Sequence, residues 1–449
     1  MLMKHLFTTL FLSFSTLAIA QTPCVNGMAG NYPCNNVDLL SYMPSSEVGG
    51  TGSNDVWGWV DPITGVEYAI LGRKSGTAFI DISDPVNPVF VGNLPASGAN
   101  STWRDIKVAN NFAFIVSEAY GHGMQVFDLM KLGEVETPPV EFEHDLQYEG
   151  FSKAHNLVMN EETDMLYAVG TNTFEGGLHI LDVSNPIQPV LVGDFSQDGY
   201  THDAQVVVYN GPDSNFQGKE IAFACNENTV TIADVSDPSD TYMISASTYS
   251  NSQYTHQGWL TEDQRYFLVG DELDEYYDGI NTTTFIWDVA DLSAPQLIGT
   301  YVSTTSAIDH NLYIVGNLCY QSNYRAGLRI ADISNVANGI MEEVAYFDIY
   351  PDNDDAQFNG TWSNYPYFPS GVVAVSSIEG GIFFVQPNIV NESGCPADFN
   401  ADQVISVADL LLLISDFGCI NSCETDLNGD EAVNVDDLLQ FLIAFGSPC

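Results

Sequence analysis

Gly177-Leu-His-Ile-Leu-Asp182 is a six-residue phrase (a small residue, alternating apolar positions, then Asp) that recurs down the whole chain. Further copies are Gly76-Thr-Ala-Phe-Ile-Asp81, Gly123-Met-Gln-Val-Phe-Asp128, Thr229-Val-Thr-Ile-Ala-Asp234, Thr283-Thr-Phe-Ile-Trp-Asp288 and Gly327-Leu-Arg-Ile-Ala-Asp332. A seventh, Gly381-Ile-Phe-Phe-Val-Gln386, ends in Gln, and the seven starting positions follow one another at a near-even interval. An apolar strand precedes each copy, as in Tyr68-Ala-Ile-Leu71, and several are followed by a turn such as Ser83-Asp84-Pro85. Asp before Pro is turn chemistry, because the carboxylate caps the turn while Pro fixes φ. A further strand opens each unit, as in Thr201-His-Asp-Ala-Gln-Val-Val207. Four short strands per repeat of roughly fifty residues make one propeller blade. The predicted fold is an all-β seven-bladed β-propeller over residues 51–390. A β-helix would repeat at a shorter period, and no helical pattern intervenes to build a parallel α/β sheet.

The seventh blade lacks an outer strand, since the chain leaves it through Glu392-Ser393-Gly394. Residues 21–50 hold an isolated strand, Val37-Asp-Leu-Leu-Ser-Tyr42, with no blade of its own. Pairing 37–42 onto blade seven closes the ring and removes an exposed sheet edge.

Residues 1–20 read as a secretory signal: Lys4 and His5, an apolar run over 6–19, and Ala18-Ile19-Ala20 before Gln21. The run is too short to span a bilayer, so the chain is expected to be secreted, extracellular or at the cell surface, with no transmembrane segment. Acidic residues outnumber basic ones 59 to 11, for a formal charge of −48. Such a surface excludes nucleic acid and anionic lipid as partners and favours cations bound by hard oxygens. Hydrophobic residues at 45% and aromatics at 12% exclude a disordered acidic tail.

After a short linker, 391–394, the composition changes, and within 395–449 the segment 395–409 aligns on the segment 423–437. A calcium loop takes oxygens from positions 1, 3, 5, 7, 9 and 12 of a twelve-residue turn. The first loop offers Asp398, Asn400, Asp402, the Val404 carbonyl, Ser406 and Asp409; the second offers Asp426, Asn428, Asp430, the Ala432 carbonyl, Asn434 and Asp437. Each runs into an apolar helix, over 410–417 and 438–445, ending at Gly418 and Gly446. Two calcium ions are expected, although Gln403 and Glu431 stand where Gly usually makes the sharp turn.

The tail resembles a dockerin of the short, type I, cysteine-flanked kind, whose loops also close with Asp at position twelve. The propeller resembles the choice-of-anchor B family, built from LVIVD-type repeats. The stretches that carry this are Ala154-His-Asn156, Tyr200-Thr-His-Asp-Ala204, Tyr254-Thr-His-Gln-Gly-Trp-Leu260, Asp271-Glu-Leu-Asp-Glu275, Asp309-His-Asn-Leu-Tyr313 and Ser322-Asn-Tyr-Arg-Ala-Gly-Leu-Arg-Ile330. The resemblance implies an exported propeller with a C-terminal attachment device, and a cohesin-like or other surface or scaffold protein as the tail's partner. It implies no activity.

His155, His202, His256 and His310 open the inner strands of four consecutive blades, and Arg104-Asp105 occupies the equivalent place in blade two. With Asp203 they either converge on a ligand or transition metal at one channel mouth, or bind neighbouring backbone as a repeating structural device. The acidic runs Asp271-Glu-Leu-Asp-Glu275 and Asp352-Asn-Asp-Asp355 read as calcium sites at blade rims or as solvated loops. No nucleophile elbow, phosphate loop or HExxH helix is present. Cys24 with Cys34 is a disulfide candidate. In the tail, Cys395 with Cys449 and Cys419 with Cys423 form one scheme; Cys395 with Cys419 and Cys423 with Cys449 form the other. Cys225 and Cys319, in strands of non-adjacent blades, are expected free and buried.

The leading functional expectation is a non-catalytic binding propeller attached to a partner through the calcium-dependent tail. The alternative is an extracellular enzyme, polysaccharide-active or metal-dependent, that uses the channel mouth and is delivered by the same tail.

Overall fold

Seven inner strands stand in a ring: Ser53–Val60, Arg104–Ala109, Asn156–Asn160, Asp203–Val208, Thr255–Leu260, Leu312–Val315 and Thr361–Tyr365. Each touches the next, and Thr361–Tyr365 touches Ser53–Val60, so the circle is complete. Every inner strand belongs to its own sheet, giving a seven-bladed propeller. The computed structural model describes residues 21–50, 52–389, 397–399, 404–419, 423, 425–428 and 432–445. The signal segment 1–20 and the linker 391–394 lie outside the described residues. The chain divides into two units, one ending at Asn388 and the other beginning at Ile389.

The repeated phrase is the third strand of each blade, and its two fixed letters have physical causes. The terminal Asp turns back onto the backbone: Asp81 accepts from Ser83 N at 2.8 Å, Asp182 from Ser184 N at 2.9 Å and Asp332 from Ser334 N at 2.7 Å. Each carboxylate thereby caps the turn into the fourth strand. Gln386 needs no such turn, because after the third strand of blade seven the chain departs. At the other end of the phrase, Gly327 has φ +80°, and a Cβ there would lie 2.3 Å from the Phe347 carbonyl oxygen of the fourth strand. Only glycine admits that approach.

Residues 21–50 serve two blades. Val37–Pro44 pairs antiparallel with Gly381–Pro387 as the outermost strand of blade seven. Tyr32–Asn35 pairs with Glu342–Phe347 and carries Met28–Ala29, adding a small hairpin to the edge of blade six. The sequence shows no sign of this hairpin, because its strands are too short to display an alternating pattern. A disulfide, Cys24–Cys34, ties it. Blade two takes its outer strand late, from Leu146–Tyr148, after Val140–Glu141 has crossed to pair in parallel with blade one.

The apolar core is divided among the joints between blades. Ile70 and Phe79 of blade one meet Ile115 and Phe127 of blade two; Phe223 of blade four meets Phe267 of blade five. Polar side chains stitch the inner strands together: Gln257 donates to the Leu312 carbonyl and accepts from its amide, both at 3.0 Å. Cys225 and Cys319 are free and buried.

The C-terminal unit has helices Val407–Ser415 and Val435–Ala444. They begin ahead of the apolar runs expected at 410 and 438, because Ser406 and Asn434 act as N-caps and pull the first turn forward.

Candidate functional site

Along each inner strand the repeat position and the residue after it face different surroundings, by the alternation of a pleated strand. The histidines form an arc across four consecutive blades. Ring centroids lie 4.3 Å apart for His155 and His202, 4.2 Å for His202 and His256, and 4.5 Å for His256 and His310. Trp362 of blade seven follows at 5.0 Å from His310. With Asp55, Trp103 and Arg104, this end of the channel leaves a space of about 10 Å³, the room of a single water.

Both roles foreseen for these rings occur together. His202 Nδ1 bonds the His256 carbonyl at 2.8 Å and His310 Nδ1 bonds the Trp362 carbonyl, each reaching the next blade's backbone. His155 Nδ1 instead meets Glu118 at 2.7 Å, while buried His256 Nδ1 has no partner. A ring whose Nδ1–H is donated keeps a lone pair on Nε2. Burial holds His202 and His256 well below the usual histidine range and His310 down at about 3, so these three imidazoles are neutral.

Glu272 completes this end, and reading the inner strands alone misses it because it lies on a second-strand exit inside an acidic run. Its Oε2 is 3.7 Å from His256 Nε2 and its Oε1 3.9 Å from His310 Nε2, while the Tyr324 hydroxyl donates to Oε1 at 2.7 Å. Burial pushes this carboxyl up to about 7. Two imidazole nitrogens and a carboxylate within a few ångströms are a donor set for a transition metal. The four-histidine site thus narrows to His256, Glu272 and His310. Arg104 turns away, towards His122 at 2.8 Å and the Arg73 carbonyl at 3.1 Å.

Asp105 and Asp203 lie on the opposite face of the strand and line a separate, wider cavity of about 580 Å³. Its walls are aromatic, with Trp57 5.2 Å from Tyr365 and Trp259 5.0 Å from Tyr313. The Lys107 ammonium stands 4.4 Å above the Trp57 ring, 2.8 Å from Asp105 and 3.9 Å from Asp55. Burial lowers the Lys107 pKa, but Asp105 and Asp55 outweigh it and hold the amine up. Burial, followed by repulsion from Asp105, raises Asp55 well above the carboxylate range; burial also lifts Asp203 to about 7. Flat rings beside a few charged groups suit a sugar ring or an organic cation. Period-two counting along each inner strand would have found Trp57, Trp259, Tyr313 and Tyr365, but they share no common letter.

The two acidic runs differ. Residues 352–355 are mostly exposed, whereas Asp271, Asp274 and Glu275 are at most 1% exposed. Burial, then the repulsion of neighbouring carboxylates, pushes Asp274 up to about 7 and Glu275 up to about 12.

In the C-terminal unit, Ser406 and Asn434 cap the helices, and Asp409 and Asp437 complete reciprocal capping boxes. Asp437 also accepts from the Leu427 amide at 2.9 Å and the Asn428 amide at 3.3 Å, drawing its loop closed. Asp398, Val404, Asp426 and Ala432 are described as well, whereas Asn400, Asp402, Gln403, Asp430, Glu431 and Gly446 lie outside the described residues. The core pairs equivalent positions of the two aligned segments and their helices: Ile405 with Val433, and Leu413 with Phe441. Cys419 and Cys423 are joined by a disulfide; Cys395 and Cys449 lie outside the described residues.

The LVIVD repeat family matches residues 67–95 and 173–197, in blades one and three. No curated protein matches the chain. Among solved structures, the β-propeller domain of Cps50 (Swd1) from Myceliophteria thermophila is 13% identical, covering 77% of this chain and 99% of that one, with a TM-score of 0.49. A protein from Lactobacillus plantarum is 12% identical over 74% of this chain and 99% of its own, at 0.48. The computationally designed Ika8 protein is 10% identical over 74% and 82%, at 0.45. The chain is a seven-bladed β-propeller that carries LVIVD repeats.

Proposed function

We propose that this is a secreted, non-catalytic binding propeller attached to a partner protein or cell surface by a calcium-dependent, dockerin-like C-terminal module. The carrying observation is a duplicated apolar face. Val407, Leu411 and Ile414 on one helix, and Val435, Leu439 and Leu442 on the other, are exposed at positions that match one for one in the aligned segments. Spacing of i, i+4 and i+7 puts each set on one stripe, opposite the stripe that builds the core. Contiguous exposed apolar surface of this kind is a binding surface. Two calcium ions, one in each loop, would order the turns that aim these helices, and the partner is a cohesin-like or other scaffold protein. The propeller presents its aromatic cavity to a ligand of its own. The test is retention of the full chain on such a scaffold, washed with calcium or with chelator. Release by chelator, and loss of retention in Leu411→Glu/Leu439→Glu, are expected. Retention indifferent to both overturns the reading.

A second reading, a metal-dependent enzyme acting at the channel mouth, has one observation in its favour: His256, Glu272 and His310 offer a neutral-imidazole and carboxylate donor set. Zinc, copper or iron held there would act as a Lewis acid or redox centre. Metal analysis of the full chain against His256→Ala/His310→Ala decides it. A stoichiometric transition metal lost in the variant supports catalysis, and none in either chain removes the reading.

A further inference from the structure

We propose that Asp274, Glu275 and Asp309 bind a calcium ion within the propeller, at the joint between blades five and six. Asp274 and Glu275 lie in the short helix Asp274–Asp278, after the second strand of blade five; Asp309 lies just before the inner strand of blade six. They are 1%, 1% and 3% exposed. Both carboxylate oxygens of Asp274, both of Glu275 and Oδ1 of Asp309 are buried without a hydrogen-bond donor. Neighbouring Asp271 shows what a satisfied carboxylate looks like here. It accepts from the Tyr249 hydroxyl at 2.8 Å and from the amides of Gln253 and Tyr254 at 2.9 and 2.6 Å.

Among the described residues, no lysine or arginine forms an ion pair with any of these four acids. A buried carboxylate with neither donor nor counter-charge is strongly unfavourable, and here three face the same interior. A divalent cation satisfies all of them at once. The donors are all hard oxygens, with no thiolate or imidazole among them, which selects calcium over zinc or copper. Calcium also accepts irregular oxygen shells, whereas magnesium insists on a near-ideal octahedron. The fold clears room for the site, since a Cβ on residue 270 would lie 2.2 Å from Asp309 Oδ2, and glycine stands there. Glu272, in the same run, serves the histidines, so the run divides between two chemistries. This site is independent of the C-terminal loops and of the transition-metal reading.

The experiment compares the full chain with Asp274→Asn/Glu275→Gln, and separately with Asp309→Asn, so that one misfolded variant does not end the test. Calcium per chain is counted after equilibrium dialysis, and melting is followed in calcium, magnesium and chelator. The C-terminal loops contribute equally to every chain and cancel. The variants should hold one calcium fewer. They should melt above the parent in chelator, where the bare carboxylates repel, and below it in calcium. Equal calcium counts, or a melting difference unchanged by calcium, overturn the proposal and leave three carboxyls kept neutral by protons. A crossover produced by magnesium but not by calcium overturns the choice of ion.

Discussion

Lys107 places its ammonium 4.4 Å above the ring of Trp57, and from there its charge acts on Asp55, Asp105 and Asp203 together. One positive charge therefore offsets three carboxylates in the wall of the aromatic cavity. Lys107→Met keeps the aliphatic stem on the indole but removes the charge. Breaking a buried pair costs about 3–5 kcal/mol, so urea unfolding at pH 8 should show a loss of that order. At pH 5 the loss should shrink, because the abandoned carboxylates take up protons. An equal loss at both pH values means that the cation is not compensating the acids.

Asp203 makes the wild-type chain itself pH-sensitive. Its carboxyl is raised to about 7 in the folded state by burial, against an ordinary value near 3.8. The folded state then binds the proton more tightly than the unfolded one, so this group's contribution falls as pH rises from about 4 to about 7 and is level above that. Asp203→Asn should remove that decline and stabilise the protein at pH 8 by about 1–3 kcal/mol. Melting temperatures across pH 4–8 check this, and parallel curves for the two chains contradict it.

Gly327→Ala should be among the most damaging single-methyl additions in the propeller. The new Cβ would meet the Phe347 oxygen at 2.3 Å, in a backbone conformation of φ +80° that side chains rarely adopt. Strain of about 1–3 kcal/mol for the backbone, with the clash added, should appear as a lower denaturant midpoint. Gly316→Ala, at φ +56° but with open space around it, is the control and should cost less.

Removing the Cys24–Cys34 bridge, with both cysteines changed to serine, should destabilise the N-terminal hairpin. The short loop that it closes gives about 3 kcal/mol by the chain-entropy relation. Hydrogen exchange should show the loss along Tyr32–Asn35 and its partner Glu342–Phe347, while blades two to four keep their protection.

The blades were legible because two positions in each repeat answer to backbone demands that the blades share. A glycine lets the fourth strand approach at Gly327, and an aspartate caps the turn at Asp81, Asp182 and Asp332. The histidine arc was legible for the same reason: His202 and His310 each bond the next blade's carbonyl. The aromatic cavity was not, since the channel-facing position holds Trp57, Lys107, Gln205, Trp259, Tyr313 and Tyr365 in different blades. Those side chains answer to a ligand or to each other, not to the repeat. Glu272 was hidden differently. It sits in a run of acids whose members go to separate destinations, and one-dimensional spacing does not record the choice.

The strand that seals the ring is also made long before the blade it completes. Tyr42 of that strand bonds the carbonyl of Gly380, at the far end of the propeller sequence. During translation the early segment must wait unpaired until blade seven emerges, and the circle shuts only at the end. Until then two complementary edges exist on one growing chain, and on every neighbouring chain at the same stage. Crowded nascent copies can exchange these edges, so that one molecule's first strand completes another's last blade. An acidic surface of net charge −48 works against that exchange by holding unfinished copies apart.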